Sequence, residues 1–506
     1  MEEQKEDGGT VTGNREFKQF FIENKTCIIK IVTLLLLFFG INSYLSFATD
    51  TFEVFSIGFE AAAKDMFRRN GRPVIALIYF IHYLTGLSNE CFYYISSVFA
   101  LIFLGLSIWI FQKILSKYEI NENSRILLAF TAIANIYIIE YFSFIEKMGF
   151  MMAIFFSILG VYWIENFFES RRKKSLIFSI LAITLAILTY QGSIALFVIL
   201  SIPFALKKSK QAKDYILNIL TIGGTYAIPV IIDMILFKFV FKSSRIKEGF
   251  DIAKYFKRFT SGLISSGKTS FGILPENLFK ILTVIILFLS VLLAIRNSKR
   301  IINLINILIL TLAACIFPAA TILQGSAWWL PRIVYPIASL ISVLVINMFI
   351  NCDKSDFEDL KEKIMKILSL SVLGILLVFQ FFSFNKIYID RYKVNALDEF
   401  RYQCIEQSIQ EYEQSTGKKI TKVAFYSDKK MMLQAYSHLF PKDYIVVSSF
   451  KRSWSDAKAM NYYLNKKYKK VTPSEEYKKY FSQKDWNKFS KEQLIFENDT
   501  LHICVY

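Results

Sequence analysis

The chain reads as an all-α polytopic membrane protein with a small C-terminal α/β domain, and three observations predict that class. Of its 506 residues, 54% are hydrophobic and the mean hydropathy is +0.38, more apolar side chain than a soluble core of this length can bury. Apolar runs of about 18 residues or more, the length that crosses a bilayer, recur between residues 28 and 385. After about residue 386 the runs stop, and the sequence becomes charged and polar with short apolar stretches. The expected organisation is an N-terminal segment 1–27, a membrane domain 28–385 and a C-terminal domain 386–506.

The runs predict about 11 transmembrane helices, at 28–48, 91–112, 125–143, 150–168, 175–190, 193–206, 215–240, 278–295, 301–322, 333–350 and 367–385. Basic clusters fall in alternate loops, at Lys113/Lys117, Arg171 to Lys174, Lys207 to Lys213, Arg296 to Arg300 and Lys354 to Lys366. The short loops between them hold only Lys147 and Arg332. This bias predicts a cytoplasmic N-terminus and a C-terminal domain on the outer side, with outer loops at 49–90 and 241–277. Ser46-Phe47-Ala48 looks like a signal-peptidase site, but the apolar run before it is too long for a signal sequence and reads as an uncleaved anchor. The stretch Pro73 to Gly86 is too short to span and, counted as a span, inverts every later loop; it reads as a helix lying at the outer interface. The pair 175–190 and 193–206, joined only by Tyr190-Gln191-Gly192, is short enough to be re-entrant, which would lower the count to nine without changing the topology.

The C-terminal domain opens with a helical stretch, Asn395 to Gln414. Strand-like runs follow at Ile420 to Tyr426, Tyr444 to Phe450, Leu494 to Phe496 and Leu501 to Val505. Lys451 to Lys488 is rich in lysine, tyrosine and tryptophan, a composition suited to sugar stacking or to a solvated helical face.

Several function classes are excluded. The formal charge of +18 lies in short clusters between apolar runs, so it is topogenic and does not point to nucleic acid. Six scattered cysteines and three histidines give no metal-ligand spacing and no nucleophile motif. Cys404 and Cys504 share the outer domain; a disulfide between them requires Cα atoms about 5.5–6 Å apart. No Walker-type or dinucleotide-binding glycine motif and no Asp-x-Asp pair is present, so a nucleotide-sugar donor and a bound metal are not expected. An activated lipid in the membrane fits an outer-leaflet site better, and no cofactor is expected.

Candidate chemistry concentrates in Asp50 to Pro73. Asp50 follows the first span directly, where a rigid helix end holds a carboxylate at the interface and partial desolvation favours it as a base. Glu53 and Glu60 are alternatives. Further along come Lys64, Arg68, Arg69 and Arg72; if the stretch is helical, Lys64, Arg68 and Arg72 stack on one face with Asp65 beside them, and the basic groups can converge on one phosphate with contacts of about 1.5–3 kcal/mol each. The ordinary alternative is that these residues pair with one another and with headgroups. In the segment ending Trp328-Trp329-Leu330-Pro331-Arg332, either indole can belong to an interfacial belt or stack on a sugar, and Arg332 stands against the charge bias as a phosphate ligand. Glu140 and Asp233 lie within expected spans, where an ionisable group costs roughly 2.5–3.5 kcal/mol unless solvated or paired; both are candidate cavity-lining acids.

Phe47-Ala48-Thr49-Asp50, the Arg69-Asn70-Gly71-Arg72-Pro73 element before an interfacial helix, the Arg332 loop and an outer C-terminal domain together resemble the serotype-converting O-antigen glucosyltransferases, which are similar to the class C glycosyltransferases. The resemblance implies an inner-membrane hexosyltransferase. It would take glucose from undecaprenyl phosphate glucose and add it to lipid-linked O-antigen lipopolysaccharide precursor in the periplasm, by an inverting reaction without metal. In it Asp50 matches the acidic position of the first outer loop and Arg72 the arginine of the Asn-Gly-Arg element. Thr49 departs from the family pattern, standing where a second acid can occur, and keeps Glu53 and Glu60 open as the base. Rival expectations are a transporter or flippase of a lipid-linked glycan, disfavoured by the absence of two related halves, and a glycan polymerase, which differs in its donor.

Overall fold

The computed structural model describes residues 10–241, 252–297, 299–320, 329–351, 360–426, 446–483 and 490–504. The described residues begin with α1 (Thr10–Phe39), then α2 (Thr49–Ile57), the amphipathic α3 (Phe59–Arg68), α4 (Pro73–Thr85) and the long α5 (Asn89–Leu115). Pro73 starts α4 where no helical N–H is needed, and Ser88 caps α5 by accepting the Cys91 N–H at 3.2 Å. Helices α3 and α4 pair through Phe59, whose ring meets Tyr79 and His82 edge-on at 5.2 and 4.3 Å.

There follow α6 (Glu122–Ile133), α7 (Ile138–Tyr141), α8 (Lys147–Ser170), α9 (Lys173–Thr189), α10 (Ala195–Lys207), α11 (Ala212–Leu236), α12 (Ile252–Thr269), α13 (Leu278–Arg296), α14 (Arg300–Ala320), α15 (Pro331–Asn351) and α16 (Leu360–Thr416). Helices α10 and α15 form the centre: every residue from Ala195 to Leu206 is buried, and α15 is buried almost throughout. They pack on each other and on α8, α11, α13 and α14. The outer helices turn large apolar side chains outward, among them Ile177 and Leu181 on α9, Leu217 and Leu220 on α11 and Phe288 on α13. A bundle apolar both inside and on its rim is built for lipid.

Among the described residues, seven helical segments are long and apolar enough to cross a membrane: Asn24–Asn42, Asn89–Leu115, Lys147–Ser170, Ala212–Phe241, Leu278–Arg296, Pro331–Asn351 and Leu360–Thr416. Pro73–Thr85, Gln191–Lys207 and Arg300–Ile316 are apolar but shorter. The expectation of 11 full spans therefore reduces to this coarser statement of a multi-pass helical protein.

The expected span 125–143 is not one helix. Helix α6 stops at Ile133, and its orphaned carbonyls are taken by side chains from far along the chain. Ser339 donates to the Ala132 carbonyl at 2.7 Å, Tyr335 to that of Ile133, and Gln380 to that of Ala134 at 2.5 Å. Asn135 donates to the Tyr335 carbonyl at 3.0 Å and to Ser339 Oγ at 2.8 Å, while its own Oδ1 accepts the Tyr137 N–H at 2.9 Å. A broken helix is tolerated in an apolar interior only where its backbone groups are met in this way. The break places Glu140.

Three of the basic clusters meet at one end of the bundle. Lys117 contacts Glu165 and Glu169 at 2.5 and 3.1 Å, Lys208 reaches Glu169 at 3.4 Å, and Arg171 donates to Asn218 at 2.8 Å. From that end α9 runs to the Tyr190-Gln191-Gly192 turn and α10 returns. The opposite end carries the candidate site.

Helix α16 runs unbroken through residue 386, where a domain boundary was expected, and enters a four-stranded sheet unit. The strands are β1 (Lys422–Tyr426), β2 (Lys469–Lys470), β3 (Leu494–Glu497) and β4 (Thr500–Cys504), in the order β2-β1-β4-β3. β1 is parallel to both neighbours, with Val423 opposite Leu501, and β3 pairs antiparallel with β4. Two further helices, α17 (Asp456–Leu464) and α18 (Glu475–Ser482), complete the unit. The strand expected at 444–450 does not form among its described residues. Asp398 of α16 takes the Ser449 N–H at 2.6 Å and the hydroxyls of Ser448 and Ser449 at 2.7 and 2.8 Å, turning the backbone into a helical turn at Ser449–Lys451. Cys404 on α16 and Cys504 on β4 form no disulfide.

The unit is fastened to the first loop of the bundle. Asn395 Nδ2 donates to the Phe47 carbonyl at 3.2 Å and Asn395 Oδ1 accepts the Phe47 N–H, copying one strand pairing. Arg391 donates to Ser46 Oγ at 2.9 Å and Asn42 Oδ1 at 3.2 Å, and Tyr462 of α17 packs on Phe47, Phe52 and Phe55. These contacts hold the start of α2.

Candidate functional site

Asp50 lies in the first turn of α2, where its charge complements the helix N-terminus. It is exposed, and its Oδ1 accepts a hydrogen bond from Trp454 Nε1 at 3.0 Å. The two alternative acids are already engaged: Glu53 with Lys458 at 3.3 Å, Glu60 with Lys64 at 2.5 Å. The Lys64 hydrogen bond and charge hold the Glu60 carboxyl below its ordinary value.

The expected stack of Lys64, Arg68 and Arg72 on one helical face does not form. Helix α3 ends at Arg68, and the chain reverses through Asn70-Gly71: Asn70 donates to Asp65 Oδ2 at 3.2 Å, and the Arg72 N–H reaches the Met66 carbonyl at 2.9 Å. Gly71 has φ +63°, and a Cβ there would stand 2.3 Å from the Phe237 ring, so the turn needs glycine twice over. Lys64, Arg68 and Arg69 are left exposed, Arg69 at 4.0 Å from Asp65, while Arg72 turns inward.

The Arg72 guanidinium lies 4.7 Å over the Tyr190 ring. Its Nε is buried with no hydrogen-bond partner among the described residues. Around it stand Glu146, Tyr79 and Arg332, all close enough to interact electrostatically, and Asp233 of α11 feels the same charge. Asp233 Oδ1 is likewise buried without a partner among the described residues, and beside it stands Gln191, whose Nε2 reaches the Gly71 carbonyl at 3.3 Å. Burial pushes the Glu146 carboxyl up from its ordinary value against the pull of Arg72 and the Tyr79 hydroxyl.

Arg332 begins α15 and is gripped by Glu140. Its Nη1 and its backbone N–H each meet a Glu140 carboxylate oxygen at 2.5 Å, its guanidinium lies 4.8 Å over Phe144, and its carbonyl accepts the Tyr141 hydroxyl at 2.6 Å. The charge that the sequence left uncompensated in this loop thus has a buried protein partner. Gly192 passes beneath: a Cβ there would stand 3.0 Å from the Arg332 carbonyl. Removing one member of a buried pair leaves the other uncompensated. Glu140→Ala is therefore expected to destabilise the protein by roughly 3–5 kcal/mol, read as a fall in the unfolding midpoint in detergent. Glu140→Ala/Arg332→Ala should cost less than the two single changes added together, and an unchanged midpoint for Glu140→Ala would contradict the pairing.

Asp50, Arg72, Glu140, Asp233 and Arg332 thus come from five separate segments to one end of the bundle, and Asp50 is near enough to act electrostatically on both Glu140 and Glu146. Lys64, Arg68, Arg69 and Glu60 stay outside the cluster. Trp329 gives its indole N–H to Ser266 Oγ at 2.7 Å and packs over Gly262 of α12; Trp328 lies outside the described residues. Sequence reasoning missed Glu146, Tyr190 and Gln191. Glu146 follows the broken helix beside Lys147, and Tyr190-Gln191 sits in the α9–α10 turn; that placement at the ends of apolar runs was the one available signal.

Chemically the cluster offers a partly buried guanidinium with an unpartnered Nε, a second arginine fixed by a carboxylate, and an exposed carboxylate nearby. That combination suits an anionic group entering next to a nucleophile to be deprotonated. A family model described as Glucosyl transferase GtrII matches residues 56–379, which include Arg72, Glu140, Glu146, Asp233 and Arg332 and exclude Asp50 and Trp454. No curated protein and no solved structure matches the chain.

Proposed function

The chain belongs to the GtrII family of glucosyl transferases, and from that premise we propose that it transfers glucose from undecaprenyl phosphate glucose to lipid-linked O-antigen on the periplasmic side of the bacterial inner membrane. The observation that carries the reading is the orphaned Nε of Arg72, a buried donor beside Arg332 at the end of the bundle away from the basic clusters. A lipid phosphate entering from the membrane supplies the missing acceptor. In the proposed step Asp50 takes the proton of an acceptor hydroxyl and the hydroxyl oxygen attacks the anomeric carbon. The bond from that carbon to the phosphate oxygen breaks, and its electron pair leaves with the phosphate, whose growing charge Arg72 and Arg332 stabilise. Attack opposite the leaving group inverts the anomeric centre. Glu140 serves by holding Arg332 in place. Of the loop cations, Lys64, Arg68 and Arg69 draw the headgroup surface to the site from outside.

The test is transfer of labelled glucose by purified protein from undecaprenyl phosphate glucose, in EDTA, to lipid-linked O-antigen, beside a diphosphate-linked oligosaccharide as competing donor. Transfer from the monophosphate donor alone, undiminished by EDTA, is the expected result. Use of the diphosphate donor would favour the polymerase reading, and movement of intact lipid-linked glycan without transfer the flippase.

A further inference from the structure

Trp454 sits on the short loop between the Ser449–Lys451 turn and α17, and that loop is fixed from several sides. Lys470 Nζ donates to the Ser453 carbonyl at 2.5 Å and to both Asp456 oxygens at 2.5 and 2.6 Å. Ser455 Oγ donates to the Ser449 carbonyl at 2.7 Å, and the Tyr402 hydroxyl to the Asp456 carbonyl at 3.0 Å. Next to it Lys458 bridges to Glu53 of α2 at 3.3 Å. A loop held this firmly could bury its indole, yet Trp454 remains 38% exposed, with its Nε1 3.0 Å from Asp50 Oδ1 and the Arg452 guanidinium 5.3 Å over its ring. An exposed aromatic on a rigid support, bonded to the carboxylate that is to take the proton, is an arrangement for setting a sugar ring against that carboxylate.

We infer that Trp454 is the acceptor platform: its ring stacks on a pyranose of the lipid-linked saccharide while its N–H orients the Asp50 carboxylate toward the acceptor hydroxyl. Trp454 is thus a specificity and positioning residue contributed by the C-terminal unit, 404 positions along the chain from the acid it serves. It also gives that unit a task in the reaction beyond covering α2. The inference rests on the reading of Asp50 as the base in glucosyl transfer.

Because the side chain is exposed, its replacement leaves the core intact, and two variants separate its two contributions. Trp454→Phe keeps an aromatic face and loses the N–H; Trp454→Ala loses both. In the transfer assay with donor and acceptor varied separately, Trp454→Ala should raise the acceptor KM about tenfold with the donor KM unmoved. Trp454→Phe should keep the acceptor KM near that of the wild type and lower kcat. An acceptor KM unchanged in Trp454→Ala, one raised equally in both variants, or a parallel rise in donor KM overturns the inference. Wild type that transfers normally while Trp454→Ala keeps its acceptor KM sinks this inference alone; wild type that transfers nothing from the polyprenyl monophosphate donor sinks the functional reading itself.

Discussion

Arg72→Ala is expected to lower transfer by roughly 10²–10³-fold, the loss typical when one preorganised donor to a developing oxyanion is removed, while the protein still folds. The reasons are local. Arg72 is the one cation of its loop that the Gly71 turn carries inward, its guanidinium is stacked at 4.7 Å on Tyr190, and its Nε has no protein acceptor among the described residues. Its charge is therefore available to a ligand, and Arg332, held in place by Glu140 at 2.5 Å, stands close enough to act electrostatically with it. Arg72→Lys should recover only part of the activity, since a lysine keeps the charge and loses both the planar fork and the stacking. Lys64→Ala, Arg68→Ala and Arg69→Ala, on the exposed side of the turn, should each change kcat little. Purified variants compared at saturating acceptor, with the unfolding midpoint measured alongside, check this; an Arg72→Ala enzyme with wild-type rate would refute the assignment.

Asp50→Asn should leave membrane insertion intact and reduce transfer by about 10²–10⁴-fold, the contribution of a positioned general base. The amide preserves size and can still accept from Trp454 Nε1, so the loss isolates the proton acceptor. Glu53→Gln and Glu60→Gln should be mild, because Glu53 is committed to Lys458 at 3.3 Å and Glu60 to Lys64 at 2.5 Å. If Glu60→Gln or Glu53→Gln were the inactive variant instead, the base would lie on the outer face of α2 or α3.

How far the sequence foretold this arrangement depends on the range of the interaction. Hydropathy and charge alternation located the apolar helices and grouped the basic clusters, because both signals are local. The Arg72 element was legible in Asn70-Gly71-Arg72-Pro73, yet helical spacing was carried across it. Asn-Gly followed by Pro is a turn signal, and the turn separates Arg72 from Lys64 and Arg68 by sending one inward and the others out. The break between α6 and α7 was invisible to hydropathy, since its carbonyls are capped by Tyr335, Ser339 and Gln380, some 200 positions or more away. Glu146 and Gln191 had no individual signature, because their meaning comes from standing beside Arg72 and Asp233. The strand expected at 444–450 was a fair reading of its apolar residues, overridden by the buried carboxylate of Asp398.

The most direct test of the central claim is a single set of experiments on wild type, Arg72→Ala and Asp50→Asn, measuring binding of undecaprenyl phosphate glucose and transfer of its glucose in parallel. The account predicts that both variants lose transfer and that only Arg72→Ala also loses donor affinity, dividing phosphate recognition from proton removal between the two residues. Wild-type donor binding and wild-type transfer by Arg72→Ala would contradict it.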